Sequence, residues 1–241
     1  MSLIPRLADG TQLTFRVGGL YNGMVLLKDT QTGSDWDHIT GECVNGKLRG
    51  TQLEVIGPLG HGDVAATLAG DPDAQIHLSR QSWLQKFLGR LLFRVVGRGR
   101  GILPPHFAST MGEADTRLPR EEVGLGVWHG RRAVFYSLAH LRAKGGAVVD
   151  RLGGRCIVTY IDPVSGSPQA IWHESAGARV DGEAILLDDG AKVVHGKLHV
   201  QEGVPAVYPE LPRQTLTRWY GFSYTFANVE IAGQPSEGGE G

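Results

Sequence analysis

The chain has 241 residues, 24 Lys and Arg against 25 Asp and Glu, a formal net charge of −1 and 41% hydrophobic residues. A chain of this size buries about 70 to 75% of its unfolded surface, so no disulfide or metal is needed to fold it, and its near-neutral balance excludes a global attraction to nucleic acid or anionic membrane. No run reaches the ~18 to 20 apolar residues of a membrane-spanning helix and residues 1–10 lack a signal-peptide pattern, so the chain as written reads as cytoplasmic, or as extracytoplasmic if a signal sequence lies upstream.

Over residues 11–57, short apolar strands alternate with turn signals. Phe15 and Val17, Met24 to Leu27, Cys43 and Val44, and Leu53 to Ile56 are separated by Gly18-Gly19, Asn22-Gly23, Asp29 to Ser34 and Asn45-Gly46, which predicts successive β-hairpins. Gly57 to Asp73 reads as a Gly- and Ala-rich connection closed by the turn Asp71-Pro72-Asp73. Next, Trp83, Phe87 and Leu91, with Leu84, Leu88 and Leu92, recur every four residues, predicting an amphipathic helix over 79–96 that Gly97 ends. Gly97 to Pro105 reads as a linker. No acidic residue lies between Asp73 and Glu113, while Arg80, Lys86, Arg90, Arg94, Arg98 and Arg100 make this stretch basic. A basic amphipathic helix of this kind lies on an anionic surface or grips an acidic partner, unless its apolar arc only packs on the sheet.

From Val123 the pattern returns to strands, at 124–127 and 132–136. A short helix follows from Ser137, a suitable N-cap, to Lys144 before Gly145-Gly146. Cys156 to Ile161 is a β-branched run expected to be a buried strand, and further hairpins are predicted over 184–187, 193–200 and 221–231. Residues 233–241 are Gly, Glu, Ser, Gln and Pro in a polar tail, expected to be disordered. The predicted fold is mainly β, a hairpin-rich β-sandwich or partly open barrel with one amphipathic and one short helix. Its units are a hairpin block over 1–73, the helix and linker over 74–105, a second β-rich block over 106–232 packing with the first, and the tail.

Residues that could carry chemistry are scattered. Cys43 and Cys156 lack metal-ligand spacing and read as two buried thiols that could pair at most once. His195 and His199 would share one face of a strand about 13 Å apart, too far for one metal ion. Asp35 and Asp37 could hold a hard cation, but read more simply as a polar hairpin flank. Gly97-Arg98-Gly99-Arg100-Gly101 follows a predicted helix and lacks the Lys-Ser/Thr of a phosphate loop, and no Gly-x-Ser-x-Gly elbow occurs. The series Asp29-x-x-Thr32-Gly33-Ser34-x-Trp36 is echoed by Asp162-x-x-Ser165-Gly166-Ser167 with Trp172-His173 behind it. Two hairpin loops of one type explain the echo, and a pseudo-repeat presenting Trp and His to a shared cleft is the sharper alternative. Trp219 to Phe226 holds five aromatics, dense enough to be core unless several form an exposed stacking platform.

Three stretches carry a family resemblance. Gly18-Gly19-Leu20-Tyr21-Asn22-Gly23 with Asp29-x-x-Thr32-Gly33-Ser34-x-Trp36, Thr40-Gly41-Glu42 and Gly46-x-Leu48-x-Gly50-x-x-Leu53 forms the first. Asp115-x-Arg117-Leu118-Pro119-Arg120-Glu121-Glu122-Val123 with Val149-Asp150-x-Leu152-Gly153-Gly154 forms the second, and Thr217-Arg218-Trp219-Tyr220-Gly221-Phe222 with Thr225-Phe226 the third. Together they resemble the prokaryotic family catalogued as domain of unknown function 3179, which supplies no activity. The resemblance implies that many members carry a cysteine motif on a strand ahead of the first stretch. Here only residues 2–10 precede the first strand, and Tyr160-Ile161-Asp162-Pro163 has no cysteine, so the chain is expected to be an N-terminally truncated member or one without that chemistry.

The reading these observations favour is a non-catalytic binding or structural module with an aromatic-lined cleft. Trp36 and Trp219 would supply apolar faces, His38 a polar contact and Arg218 an anion partner, because they sit in the stretches of strongest resemblance. No cofactor or metal is expected, the ligand being a small molecule or protein and not a specific nucleic-acid sequence. The alternatives are a metal- or redox-dependent enzyme whose reactive motif is missing from this chain, and attachment to an anionic membrane surface through residues 79–100.

Overall fold

The structure is a computed structural model that describes residues 2–57, 64–77, 82–83, 87–88 and 109–235. The basic residues Lys86, Arg90, Arg94, Arg98 and Arg100, most of the predicted helix, the linker and the end of the tail lie outside the described residues. The protein is mainly β: the described residues are 42% strand and 10% helix, with antiparallel sheets in a sandwich-like arrangement and, among them, no closed barrel.

The first block holds β1 (Ser2–Ile4), β2 (Phe15–Tyr21), β3 (Met24–Asp29), β4 (Asp35–Asp37), β5 (Cys43–Asn45) and β6 (Glu54–Gly57). Strands β2 to β5 form a meander in chain order, and β1 pairs with β6. Asn22 (φ 50°) and Gly23 (φ 71°) supply the two positive φ angles of the β2–β3 turn, the backbone for which Asn-Gly is favoured. Leu13, Trp36, Cys43 and Leu53 form the core of the block.

The second block is a stack of three sheets. The first has the order β16-β7-β8-β17, from β16 (Arg213–Arg218), β7 (Val123–His129), β8 (Arg132–Ser137) and β17 (Glu230–Ile231). The middle sheet is β11-β10-β9, from β11 (Pro168–Trp172), β10 (Arg155–Ile161) and β9 (Ala147–Leu152). The third runs β12 (Ala178–Asp181), β13 (Ala184–Leu187), β14 (Lys192–Val194) and β15 (Lys197–His199). Strand alternation distributes the side chains between layers. Leu125, Val127, Val134 and Tyr136 meet Ile157, Ala170 and Trp172 between the first two sheets. Val158, Tyr160 and Ile171 point the other way, against Ile185, Leu187 and Val193 of the third. Because both faces of β7, β8 and β10 are covered, these strands read as nearly continuous apolar runs.

Helices α1 (Val64–Gly70), α2 (Leu138–Ala143) and α3 (Trp219–Thr225) accompany the sheets, and Trp83, Phe87 and Leu88 are also helical. Helix α2 begins as expected, Ser137 Oγ accepting a bond from His140 N at 3.0 Å. Helix α1 replaces part of the predicted connection, since Val64-Ala-Ala-Thr-Leu-Ala is rich in the best helix former. Helix α3 replaces the start of a predicted hairpin. Trp219, Phe222 and Phe226 are spaced i, i+3, i+7, and all belong to the apolar layer on the outer face of β7 and β8, with Trp128, Ala133 and Phe135. After α3 the chain enters β17, which pairs with β8 in parallel.

His195 and His199 do not share one strand. His195 occupies the β14–β15 turn at φ 49° and His199 lies opposite Lys192. Both cysteines are free and buried.

Candidate functional site

Trp36 and Trp219 are fully buried and belong to different apolar clusters. Trp36 sits mid-strand in β4, donates from Nε1 to Asp29 Oδ2 at 2.9 Å, and meets the Phe15 ring edge-on at 5.7 Å. Trp219 donates from Nε1 to the Asp115 carbonyl at 3.0 Å, packs on Phe135, and lies under the Arg117 guanidinium. Arg218, just before α3, is half-exposed and ion-paired with Glu121 at 2.8 Å. His38 places Nδ1 2.8 Å from the Val25 carbonyl. The structure therefore brings the stretches holding these four residues together without presenting both indole rings to a common opening.

The echo between Asp29 and Asp162 is a repeated loop. In each, the Asp N–H donates to the carbonyl of the serine five residues on, at 3.1 Å for Asp29 and 2.9 Å for Asp162. The Gly four residues on donates back to the Asp carbonyl, and Thr32 or Ser165 donates both its N–H and its hydroxyl to the carboxylate. Gly33 and Gly166 take φ of 71° and 68°, where a Cβ is strained. Beyond the loops the two copies diverge. Trp36 turns into the first block, whereas Trp172 faces the layer between the first and middle sheets, with Arg155 4.3 Å from its ring and His129 edge-on at 5.4 Å. His173 meets Asp189 at 2.6 Å. The repeat thus sets two hairpins, and its two tryptophans serve separate cores.

Asp35 is committed through both carboxylate oxygens, and Asp37 through one. Asp35 accepts from Asn45 Nδ2 at 3.1 Å and pairs with Lys28 at 3.0 Å, contacts that hold its carboxyl below the usual carboxylate range. Asp37 Oδ1 accepts the N–H groups of Ile39 and Thr40 and caps the tight turn after β4. Among the described residues, no three His, Cys, Asp or Glu side chains converge in a geometry that could hold a metal ion.

The first block docks on α3 through the β2–β3 hairpin. Met24 joins the cluster around Trp219 and Phe222, and Gly221 of α3 admits it: a Cβ there would lie 2.9 Å from Met24 Sδ. The segment after residue 108 ties the seam together, with Asn22 N donating to the Thr110 carbonyl and Tyr224 OH to the Gly112 carbonyl. Tyr21, Asn22, Asp37, Tyr224 and Thr225 surround a notch of about 30 Å³ floored by Met24, Val25 and Leu26. Tyr21 is 62% exposed. A larger open groove of about 650 Å³ runs along Arg6, Leu7, Ala8, Gly10, Gln52, Leu53 and Glu54, rimmed by the Arg6–Glu54 ion pair at 2.6 Å. Sequence reasoning missed the notch because its residues are ordinary hairpin and helix positions, although Tyr21-Asn22-Gly23 and Tyr224 lie in the stretches singled out.

Residues 5–226 match a family model described as protein of unknown function (DUF3179). No curated protein and no solved structure matches the chain.

Proposed function

The chain belongs to the DUF3179 family of proteins of unknown function, and on that footing we propose that it is a binding module whose recognition point is the seam between the β2–β3 hairpin and α3. The observation that carries this reading is the convergence of two tyrosines, Tyr21 and Tyr224, and one aspartate, Asp37, in the lining of the seam notch. At about 30 Å³ the notch takes one or two water-sized groups and not a whole metabolite. It suits a group projecting from a larger ligand. Aromatic faces attract a cation and a carboxylate pairs with it, so the fitting group is an ammonium, as on a lysine side chain or an amine ligand.

The test is a ¹H–¹⁵N NMR titration with n-butylammonium, using n-butanol as the neutral isostere. Binding by the ammonium alone, with shifts at Asn22, Asp37 and Tyr224 that weaken in Tyr21→Ala and in Asp37→Asn, supports the reading. No shift, or equal shifts with the alcohol, sinks it. Asp37→Asn keeps the Oδ1 acceptor for the turn, so it removes charge without dismantling the hairpin.

A second reading is favoured by one observation. Trp83, Phe87 and Leu88, the large apolar residues described within the predicted basic helix, are helical and 78%, 60% and 54% exposed. An uncovered apolar side flanked in sequence by arginines supports attachment to an anionic bilayer surface. Liposomes containing anionic lipid should float the wild type and not an Arg90→Glu/Arg94→Glu variant. Equal flotation of the two would count against attachment.

A further inference from the structure

The two hairpin tips β7–β8 and β9–β10 and the entry to β16 meet at one end of the sheet stack, and together they make that end rich in arginine. Arg131 and Arg132 occupy the first tip, Arg151 and Arg155 flank the second, and Arg213 opens β16 opposite Trp128. The two tips touch: His129 lies against Gly153, where a Cβ would come within 2.9 Å of its ring, and packs edge-on to Trp172. Five arginines at this end face two glutamates. Arg155 makes a two-pronged contact with Glu210 at 2.8 Å, and Arg151 reaches Glu174 only at 3.8 Å. Arg131, Arg132 and Arg213 are exposed and make no ion pair among the described residues.

The chain that delivers Glu210 and Arg213 to this end is unusually apolar for an exposed loop. Between β15 and β16, Val204, Val207, Tyr208 and Leu211 are 46%, 49%, 75% and 40% exposed. The loop is nevertheless held in place, by Leu198 pairing with Val207 and by Trp172 N donating to the Glu210 carbonyl at 2.9 Å. Ordered apolar side chains beside unpaired guanidiniums have the composition of a protein-binding surface, in which Tyr and Arg are enriched.

We propose that this surface, running from Tyr208 and Leu211 to Arg131, Arg132 and Arg213, docks a polypeptide segment that is both acidic and apolar. The guanidinium fork matches carboxylates in pairs, as Arg155 already does with Glu210. The valines, Tyr208 and Leu211 would take the partner's apolar side chains, which a phosphate backbone does not possess. The surface is separate from the seam notch, and the proposal does not depend on what binds there.

The experiment is fluorescence anisotropy of the full chain with labelled dodecapeptides of alternating Glu and Leu, of Glu and Ser, and of Gln and Leu, beside a DNA duplex as a polyanion without apolar groups. The expected result is binding of the Glu–Leu peptide alone that weakens with salt. Arg131→Glu/Arg132→Glu/Arg213→Glu should weaken it about tenfold or more, and Tyr208→Ser should weaken it as well. Arg142→Glu on α2, also exposed, should leave it unchanged. Circular dichroism verifies that each variant is folded, and the peptide series on the wild type stands without any variant. Equal binding of the duplex or the Glu–Ser peptide would reassign the surface to plain polyanion attraction and overturn the proposal. So would no binding at low salt, or equal loss in Arg142→Glu.

Discussion

Replacing Asp29 by Ala removes the acceptor for four donors at once: Thr32 N–H, Thr32 hydroxyl, Ser34 N–H and Trp36 Nε1. Burial pushes this carboxyl up, but those donors together outweigh it and leave its pKa below the usual carboxylate value. With Trp36 Nε1 stranded in the core and Ser34 N left with only the longer bond to Thr32 Oγ1 at 3.3 Å, Asp29→Ala should cost roughly 2 to 3 kcal/mol, read as a shift of the urea midpoint. The equivalent change at Asp162 should cost clearly less, because that carboxylate accepts only from its own loop. Equal losses would mean that the bond to Trp36 contributes little. Here the sequence was informative about the loop and silent about the tryptophan. Asp-x-x-Thr/Ser-Gly-Ser encodes the turn through local hydrogen bonds, whereas the direction in which Trp36 or Trp172 points depends on which layer its strand joins.

At the scale of elements, the junction of β7 with α3 is set by glycine. A Cβ at Gly126 would lie 2.2 Å from Phe222 Cε2, and one at Gly124 would strike Phe135 and the Tyr136 carbonyl. The strand lacks side chains there because the helix packs directly on its backbone. Gly126→Ala must displace the Phe222 ring and with it the contacts to Trp128 and Phe135. The expected loss is about 1 to 3 kcal/mol, with a weaker aromatic near-ultraviolet circular dichroism signal. An unchanged melting temperature would show that α3 is free to shift. The helix was legible in principle, since Trp219, Phe222 and Phe226 mark one helical face. Aromatic residues are also strand formers, and over so short a segment the two periods compete. The short helix α2 was read correctly because Ser137 and Gly145-Gly146 punctuate it chemically at both ends.

For the whole molecule, the titrating groups give one direction. Asn45 and Lys28 lower Asp35, and Arg117 lowers Asp115. Burial raises Asp189, as it does Asp29, yet His173 and the Ala191 N–H outweigh it, so both carboxyls also sit low. A carboxyl depressed in the folded state contributes stability that is present above its unfolded pKa of about 4 and is lost as pH falls through the folded value. His140 is lowered by burial and then by Lys144. A histidine depressed in the folded state binds more protons when unfolded, so it removes stability as pH drops below about 6.5. Denaturation midpoints should therefore decline in two stages on acidification. His140→Gln should abolish the first stage and keep the second, and a midpoint that rises toward acid would contradict both assignments.

The amino-acid sequence by itself determined the mainly β class, the family, the hairpin turns, the α2 cap and the burial of both cysteines, because each rests on local chemistry or on alternation within one strand. The tertiary structure alone decided that β9 to β11 form a middle layer with two apolar faces, that Trp36 and Trp219 are interior supports of different cores, and that Tyr21, Asp37 and Tyr224 surround one notch. It also placed five arginines at one end of the stack. Those juxtapositions join residues distant in the chain through the stacking of sheets, and no local pattern records which face of a strand will meet which neighbour.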